Sequence, residues 1–234
     1  MTGAPLEPPP LDPARRRQIV RDSLAVAVAT GAYGISFGAI SVASGLDVWQ
    51  SCALSLLVFT GASQFALVGV IGAGGTPFFA TLSGLLLGTR NTLYGLRLAP
   101  LLDWRGVRRA AAAHLVIDES TAMSVTRESP AAARTGFLAT GLGVFVLWNL
   151  FTLGGAVAGE ALGDPRDYGL DAAVGGAFLA LLWPRLDSAQ HRLTAVLAAA
   201  LALVLVPLTP AGVPVIAAGV VALGMGLVTR EVHP

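Results

Sequence analysis

The chain of 234 residues has no lysine, a single cysteine and few charges, with 12% of its residues charged against 54% hydrophobic. A water-soluble domain carries about 25% charged residues. Half that fraction leaves too little polar surface to coat a soluble globule. Net charge is only +1, so the chain carries no electrostatic footprint for nucleic acid. Cys52 alone excludes an intrachain disulfide and a cysteine-rich metal site. The HExxH and Walker A patterns are missing, which argues against an enzyme built on those motifs. No cofactor or metal is expected. Strand-like alternation of apolar and polar residues is also missing, which leaves helices as the spanning structure.

What is there is a series of apolar runs, and mean hydropathy is +0.71. A transmembrane helix needs about 20 mostly apolar residues. Eight stretches qualify: about 22–45, 48–71, 76–102, 108–127, 135–160, 169–185, 192–208 and 211–229. The expected fold is all-α, a polytopic membrane helix bundle with seven or eight transmembrane segments. Residues 1–18 are polar and contain five prolines, and are expected to form a disordered cytoplasmic tail. Residues 19–234 are expected to form a single transmembrane domain. Arg15, Arg16, Arg17 and Arg21 precede the first apolar run. They place the N-terminus in the cytoplasm of a multi-pass inner (plasma) membrane protein. Eight crossings leave Arg105, Arg108 and Arg109 on the outer face, against the arginine bias. A broken or re-entrant segment before Asp103 removes that conflict, and GVIGAGGTP at 69–77 is the expected place for it.

Small residues form stripes. Gly31, Gly34, Gly38, Ser41 and Gly45 fall on one face of the first helix, and Gly84, Gly88, Asn91 and Gly95 on one face of the third. Such faces let helix backbones approach closely in lipid. Gly45-Leu46-Asp47 and Gly169-Leu170-Asp171 each open an apolar segment, which suggests an internal repeat of the kind transporters use.

The residues that could carry chemistry are polar groups inside apolar runs, where they need partners or a water-filled cavity. Gly61, Ser63 and Gln64 form a polar patch on the second segment. The glutamine amide can donate and accept, toward a solute or toward a neighbouring helix. On the third segment Arg90, Tyr94 and Arg97 form a stripe, with Asn91 beside it. Arg90 lies deep in its segment. Its guanidinium can hold a carboxylate through two hydrogen bonds, or make a structural ion pair. On the fourth segment His114, Asp118 and Thr121 share one face of a continuous helix, with Glu119 about 100° round. The carboxylates of Asp118 and Glu119 could load and release a proton, or lie solvated at an interface. On the fifth, Trp148, Thr152, Gly155 and Gly159 share a face.

Several of these residues also carry a resemblance. FGA at 37–39, FTGASQFA at 59–66, TRNTLYGLRLAP at 89–100, Asp118-Glu119-Ser120 and FLALLWPRL at 178–186 together resemble the AzlC family. That family comprises the large subunits of branched-chain amino acid exporters. The resemblance implies secondary transport of hydrophobic amino acids and a second, small hydrophobic subunit of the AzlD type. A zwitterion with an apolar side chain needs a carboxylate partner, an ammonium partner and an apolar pocket. Gly61, Ser63, Gln64, Arg90, Asn91 and Tyr94 are the expected substrate-binding residues, and Asp118 and Glu119 the expected proton-coupling pair. The competing readings are a passive channel and an intramembrane enzyme built on His114, Asp118 and Glu119.

Overall fold

The computed structural model describes residues 11–162, 176, 179 and 182–230. These form nine α-helices and one 3-10 turn, with no strand among the described residues. In chain order the helices are α1 (Pro13–Ala43), α2 (Val48–Leu57), α3 (Ala62–Gly72), α4 (Pro77–Leu102), α5 (Gly106–His114), α6 (Asp118–Val125), α7 (Pro130–Leu162), α8 (Ala189–Leu205) and α9 (Val213–Arg230). The bundle is helical, as the apolar runs require. Helix α1 starts at Pro13, within the stretch expected to be tail; Pro is well suited to a first helical position because its missing N–H has no partner there. Most of the sixth apolar run and the 169–171 copy of the repeat lie outside the described residues.

The chain divides into two compact units. One contains residues 1–32 and 91–148, the other 33–90 and 149–234. Helices α1, α4 and α7 contribute to both.

Two of the expected spans are not continuous helices. The run 48–71 is interrupted at 58–61, and the run 108–127 at 115–117. Helices α2 and α3 have 10 and 11 residues, which at 1.5 Å per residue is about 15–17 Å each. A hydrocarbon core of about 30 Å is beyond either of them. They form a hairpin. Gln64 of α3 bonds the Leu54 carbonyl of α2, and Gly72 at the end of α3 lies against Ser44, just before α2. Both pairs are centred on Val58 and Phe59, as in two antiparallel arms. The expected break at 69–77 is the turn from α3 into α4, not the interruption.

In the other unit α5 and α6 have 9 and 8 residues. Their position along α7 shows the same return. Arg134 Nε donates to the Leu102 carbonyl, ahead of α5 (2.8 Å). At the tip, His114 meets the Phe145 ring edge-on and Leu115 lies beside Gly141. Met123, near the end of α6, is back beside Gly136. The sequence Val58-Phe59-Thr60-Gly61 explains the first interruption. Two β-branched residues, an aromatic and a glycine all favour helix weakly, and Gly61 has φ +64°, which favours glycine. At the second, Val116 and Ile117 precede Asp118, and Ser120 caps the new helix by accepting from the Ile117 N–H (3.1 Å).

Helices α1 and α7 are long and apolar enough to cross a membrane. On α7, Leu138, Leu142, Val146, Leu150, Leu153 and Val157 are all exposed. They form one stripe about 29 Å long, close to the thickness of a hydrocarbon core. The opposite face, Thr140, Val144, Trp148, Thr152 and Ala156, is buried. Apolar groups facing out and small or polar ones facing in is the arrangement that lipid selects. Within one unit Gly31 abuts Leu147 and Gly143 abuts Ala27; within the other Gly38 abuts Thr152 and Ala156, and Gly155 abuts Ile35. These pairs advance together, so α1 and α7 run parallel. Their starting ends are tied by Arg15 Nε to Glu128 Oε1 at 2.8 Å.

Gly31 and Gly38 of the expected small-residue face of α1 are therefore packing positions, whereas Gly45 lies beyond the helix, exposed and with φ +95°. A methyl at Gly155 would overlap the Ile35 backbone, whereas one at Gly154 meets nothing within 4 Å. Gly155→Ala should cost about 1–3 kcal/mol through overpacking. Gly154→Ala should be neutral or stabilising by up to about 1 kcal/mol. Thermal unfolding of the two variants in detergent checks this, and equal melting temperatures would contradict the packing.

Candidate functional site

In the unit holding residues 33–90, the polar patch expected at Gly61, Ser63 and Gln64 forms the tip of the α2–α3 hairpin. Gln64 is fully buried and uses both ends of its amide. Its Oε1 accepts from the Gly61 N–H at 3.0 Å and its Nε2 donates to the Leu54 carbonyl at 3.3 Å. It stitches the interruption from both sides. Arg90 belongs to the same group, its Nη2 donating to the Thr60 carbonyl at 3.3 Å. The guanidinium thus holds the unwound tip against α4.

Ser63 sits on the first turn of α3 against the glycine face of α4. Positions 84 and 88 face its carbonyl and hydroxyl, respectively, at 3.3 and 3.5 Å from where a Cβ would stand. Ser63 is 1% exposed, and its hydroxyl has no hydrogen-bond partner. The buried hydroxyls of Thr60 and Ser83 have none either. The first N–H groups of a helix lack intrahelical acceptors and carry the positive end of its dipole. The tip therefore collects donors, namely α3 N–H groups, the Thr60 and Ser63 hydroxyls and a guanidinium, around a half-buried unwound backbone. Phe59 and Phe65 are buried beside it, with Phe65 edge-on to Phe37 at 5.5 Å.

The other expected residues fall in the second unit. Asn91 and Tyr94 continue along α4. Asp118 and Glu119 open α6 and are half-buried, with Thr30 Oγ1 of α1 donating to Glu119 Oε1 at 3.4 Å. The expectation that His114, Asp118 and Thr121 share one helix face is corrected by the interruption. His114 ends α5 and is exposed, whereas Asp118 begins α6 and Thr121 is buried. Ser120 is the residue that the sequence reading left without a role. Its hydroxyl donates to the Leu115 carbonyl at 2.6 Å while accepting from the Ile117 N–H. It thus does for the second interruption what Gln64 does for the first. The usual sequence signal was missing, since the N-cap is Ile117 rather than Ser, Thr, Asn or Asp. At the starting end of α7 the Arg15 guanidinium holds the Glu128 carboxyl down to about 2, so Glu128 stays ionised near neutral pH.

Residues 25–162 match the family described as AzlC protein. The chain belongs to the AzlC family. The match runs from α1 to the end of α7 and so contains both hairpins, while α8 and α9 lie beyond it. The chain matches no curated protein and no solved structure. Membership of the AzlC family is consistent with a role in branched-chain amino acid transport. Together with the apolar helices it supports a membrane protein.

If Gln64 holds the interruption, removing its amide leaves the Gly61 N–H without its acceptor, while the Leu54 carbonyl keeps the Val58 N–H at 2.9 Å. A buried unsatisfied group costs about 1–3 kcal/mol. Gln64→Leu should therefore lower the detergent melting temperature more than Gln50→Leu, which removes only an exposed capping contact with Asp47. Equal loss would contradict this role.

Proposed function

We propose that this AzlC protein is the large subunit of a secondary transporter that exports branched-chain or other hydrophobic amino acids. It is driven by the proton motive force and works with a small AzlD-type subunit. The observation that carries the reading is the interrupted α2–α3 segment. Its unwound tip is half-buried, Phe59 and Ser63 are buried in it, and the Ser63 hydroxyl has no partner. Interrupted helices in transporters direct half-helix N-termini at anionic substrate groups. In this reading the α3 N-terminus and Ser63 meet the substrate carboxylate, and Arg90 positions the tip through Thr60. The expected carboxylate role of Arg90 thus becomes largely a positioning one. Gly61 allows the turn, Gln64 stitches it, and Phe59 and Phe65 supply apolar surface. Asp118 and Glu119 load and release the coupling proton.

The hairpins also support an inner-membrane orientation with the N-terminus in the cytoplasm. A returning 48–72 leaves α4 to run back to the starting face. Arg105, Arg108, Arg109, Arg127 and Arg134 then share the face of Arg15, Arg16, Arg17 and Arg21. No arginine lies in the loops at either end of the α2–α3 hairpin. This is the positive-inside pattern, and it removes the conflict that eight crossings create.

Efflux of labelled leucine from preloaded cells tests the reading. The chain would be expressed alone, with its small partner, and with both chains plus a proton uncoupler. Efflux should need both chains and collapse with the uncoupler. Arg90→Ala should reduce it at least about tenfold at unchanged membrane level, the size of a lost hydrogen bond to a charged group. No efflux of leucine, isoleucine, valine or methionine from any combination would overturn the transport reading. Efflux indifferent to the uncoupler would overturn the proton coupling.

A further inference from the structure

The unit holding residues 91–148 contains a cavity of about 410 Å³ between the second half of α4, the turn after it and α5. That volume falls in the range of small-molecule sites, about 300–1,000 Å³. Its walls are mainly apolar, among them Leu98, Trp104 and Ala113. Trp104 is held by an edge-on contact with Phe137 at 5.8 Å, so this wall is built rather than incidental. Besides the Thr92 hydroxyl, two polar side chains stand in the lining. One is Asn91, whose Oδ1 is buried and has no hydrogen-bond partner. The other is Arg109, which is exposed and makes no ion pair among the described residues.

A buried acceptor without a donor costs about 1–3 kcal/mol until a donor arrives. An arginine guanidinium offers its paired N–H groups to a carboxylate in a fixed fork. An unsatisfied acceptor, a guanidinium and apolar walls together fit an α-amino acid zwitterion with an apolar side chain. We propose that this cavity is a binding site for a hydrophobic amino acid. Arg109 holds the carboxylate, the Asn91 side-chain oxygen accepts from the ammonium, and Trp104, Leu98 and Ala113 receive the side chain. The proposal rests on the transport reading for the choice of solute, and it adds a station distinct from the α3 tip. Because Arg109 lies on the arginine-rich face, the station takes solute from the cytoplasmic side. The same guanidinium could receive its anion from a lipid headgroup, so the test must separate the two sources.

Ala113 is exposed and lines the cavity, so a cysteine there is accessible and structurally mild. In the full chain carrying Cys52→Ala and Ala113→Cys, the rate of maleimide labelling would be followed in vesicles of neutral lipid. Leucine should slow labelling at least fivefold. Leucinamide, which lacks the carboxylate, and N-acetylleucine, which lacks the ammonium, should not. Arg109→Gln should abolish the protection by leucine, and Asn91→Leu should weaken it. A labelling rate unaffected by leucine would overturn the site, as would equal protection by leucinamide. Protection seen only when anionic lipid is added would assign Arg109 to a headgroup and also overturn it. The same protein assayed for leucine efflux keeps the two readings apart. Efflux without protection removes this station and leaves transport standing, whereas protection without efflux leaves the station and removes transport.

Discussion

A backbone amide or carbonyl inside an apolar medium must have a partner, and the rest of this structure follows from how that demand is met at two interrupted helices. A continuous helix satisfies its own backbone. Breaking one at 58–61 and another at 115–117 releases donors and acceptors where no bulk water can take them up. In one unit the Gln64 amide serves the Gly61 N–H and the Leu54 carbonyl, and Arg90 serves Thr60. In the other the Ser120 hydroxyl serves Leu115 and Ile117. Each interruption is supported by side chains placed three residues into the helix that follows. The polar residues that look anomalous in the sequence are in large part the partners of unwound backbone.

Small residues make that arrangement possible. Hairpins of two short arms need neighbours that approach closely. Gly84 and Gly88 of α4 admit Ser63, Gly141 of α7 admits Leu115, and Gly136 admits Met123. Between α1 and α7 the same device operates through Gly31, Gly38, Gly143 and Gly155. Lipid supplies no hydrophobic drive between helices, so contact area between backbones must supply the cohesion. The outward stripe of α7 and the exposed apolar residues of α1 are then the surface presented to the acyl chains. A long helix followed by a hairpin occurs twice, as α1 with α2–α3 and α4 with α5–α6. This architectural repeat differs from the Gly-Leu-Asp pair suggested by the sequence.

Much of this was legible beforehand. Composition and apolar run length identified a helical membrane protein, and the bounds of α4, α7, α8 and α9 lie within five residues of the expected runs. The motifs around Gly61, Arg90 and Asp118 led to the family. The hairpins were hidden because hydropathy measures side chains, whereas an interruption is a backbone event. FTGASQFA is apolar enough to pass for mid-helix, and three or four unwound residues change no window average. The arginines at 105–109 recorded the error, and their conflict with the eight-crossing arrangement was the available signal. Asn91 was singled out for its place on α4. Arg109 was missed because, in the sequence, it is one charge in an interfacial cluster; only the fold puts it in the lining of the cavity that Asn91 also lines.

The central claim is that residues 48–72 leave one membrane face and return to it. Ser44→Cys and Ala73→Cys, each in a Cys52→Ala background, can be probed with a membrane-impermeant maleimide on right-side-out and inverted vesicles. Both positions should label from the same face, and Thr60→Cys at the tip should be slow from either. Labelling of Ser44→Cys and Ala73→Cys from opposite faces would make 48–72 a crossing. It would remove the half-buried tip on which the account depends.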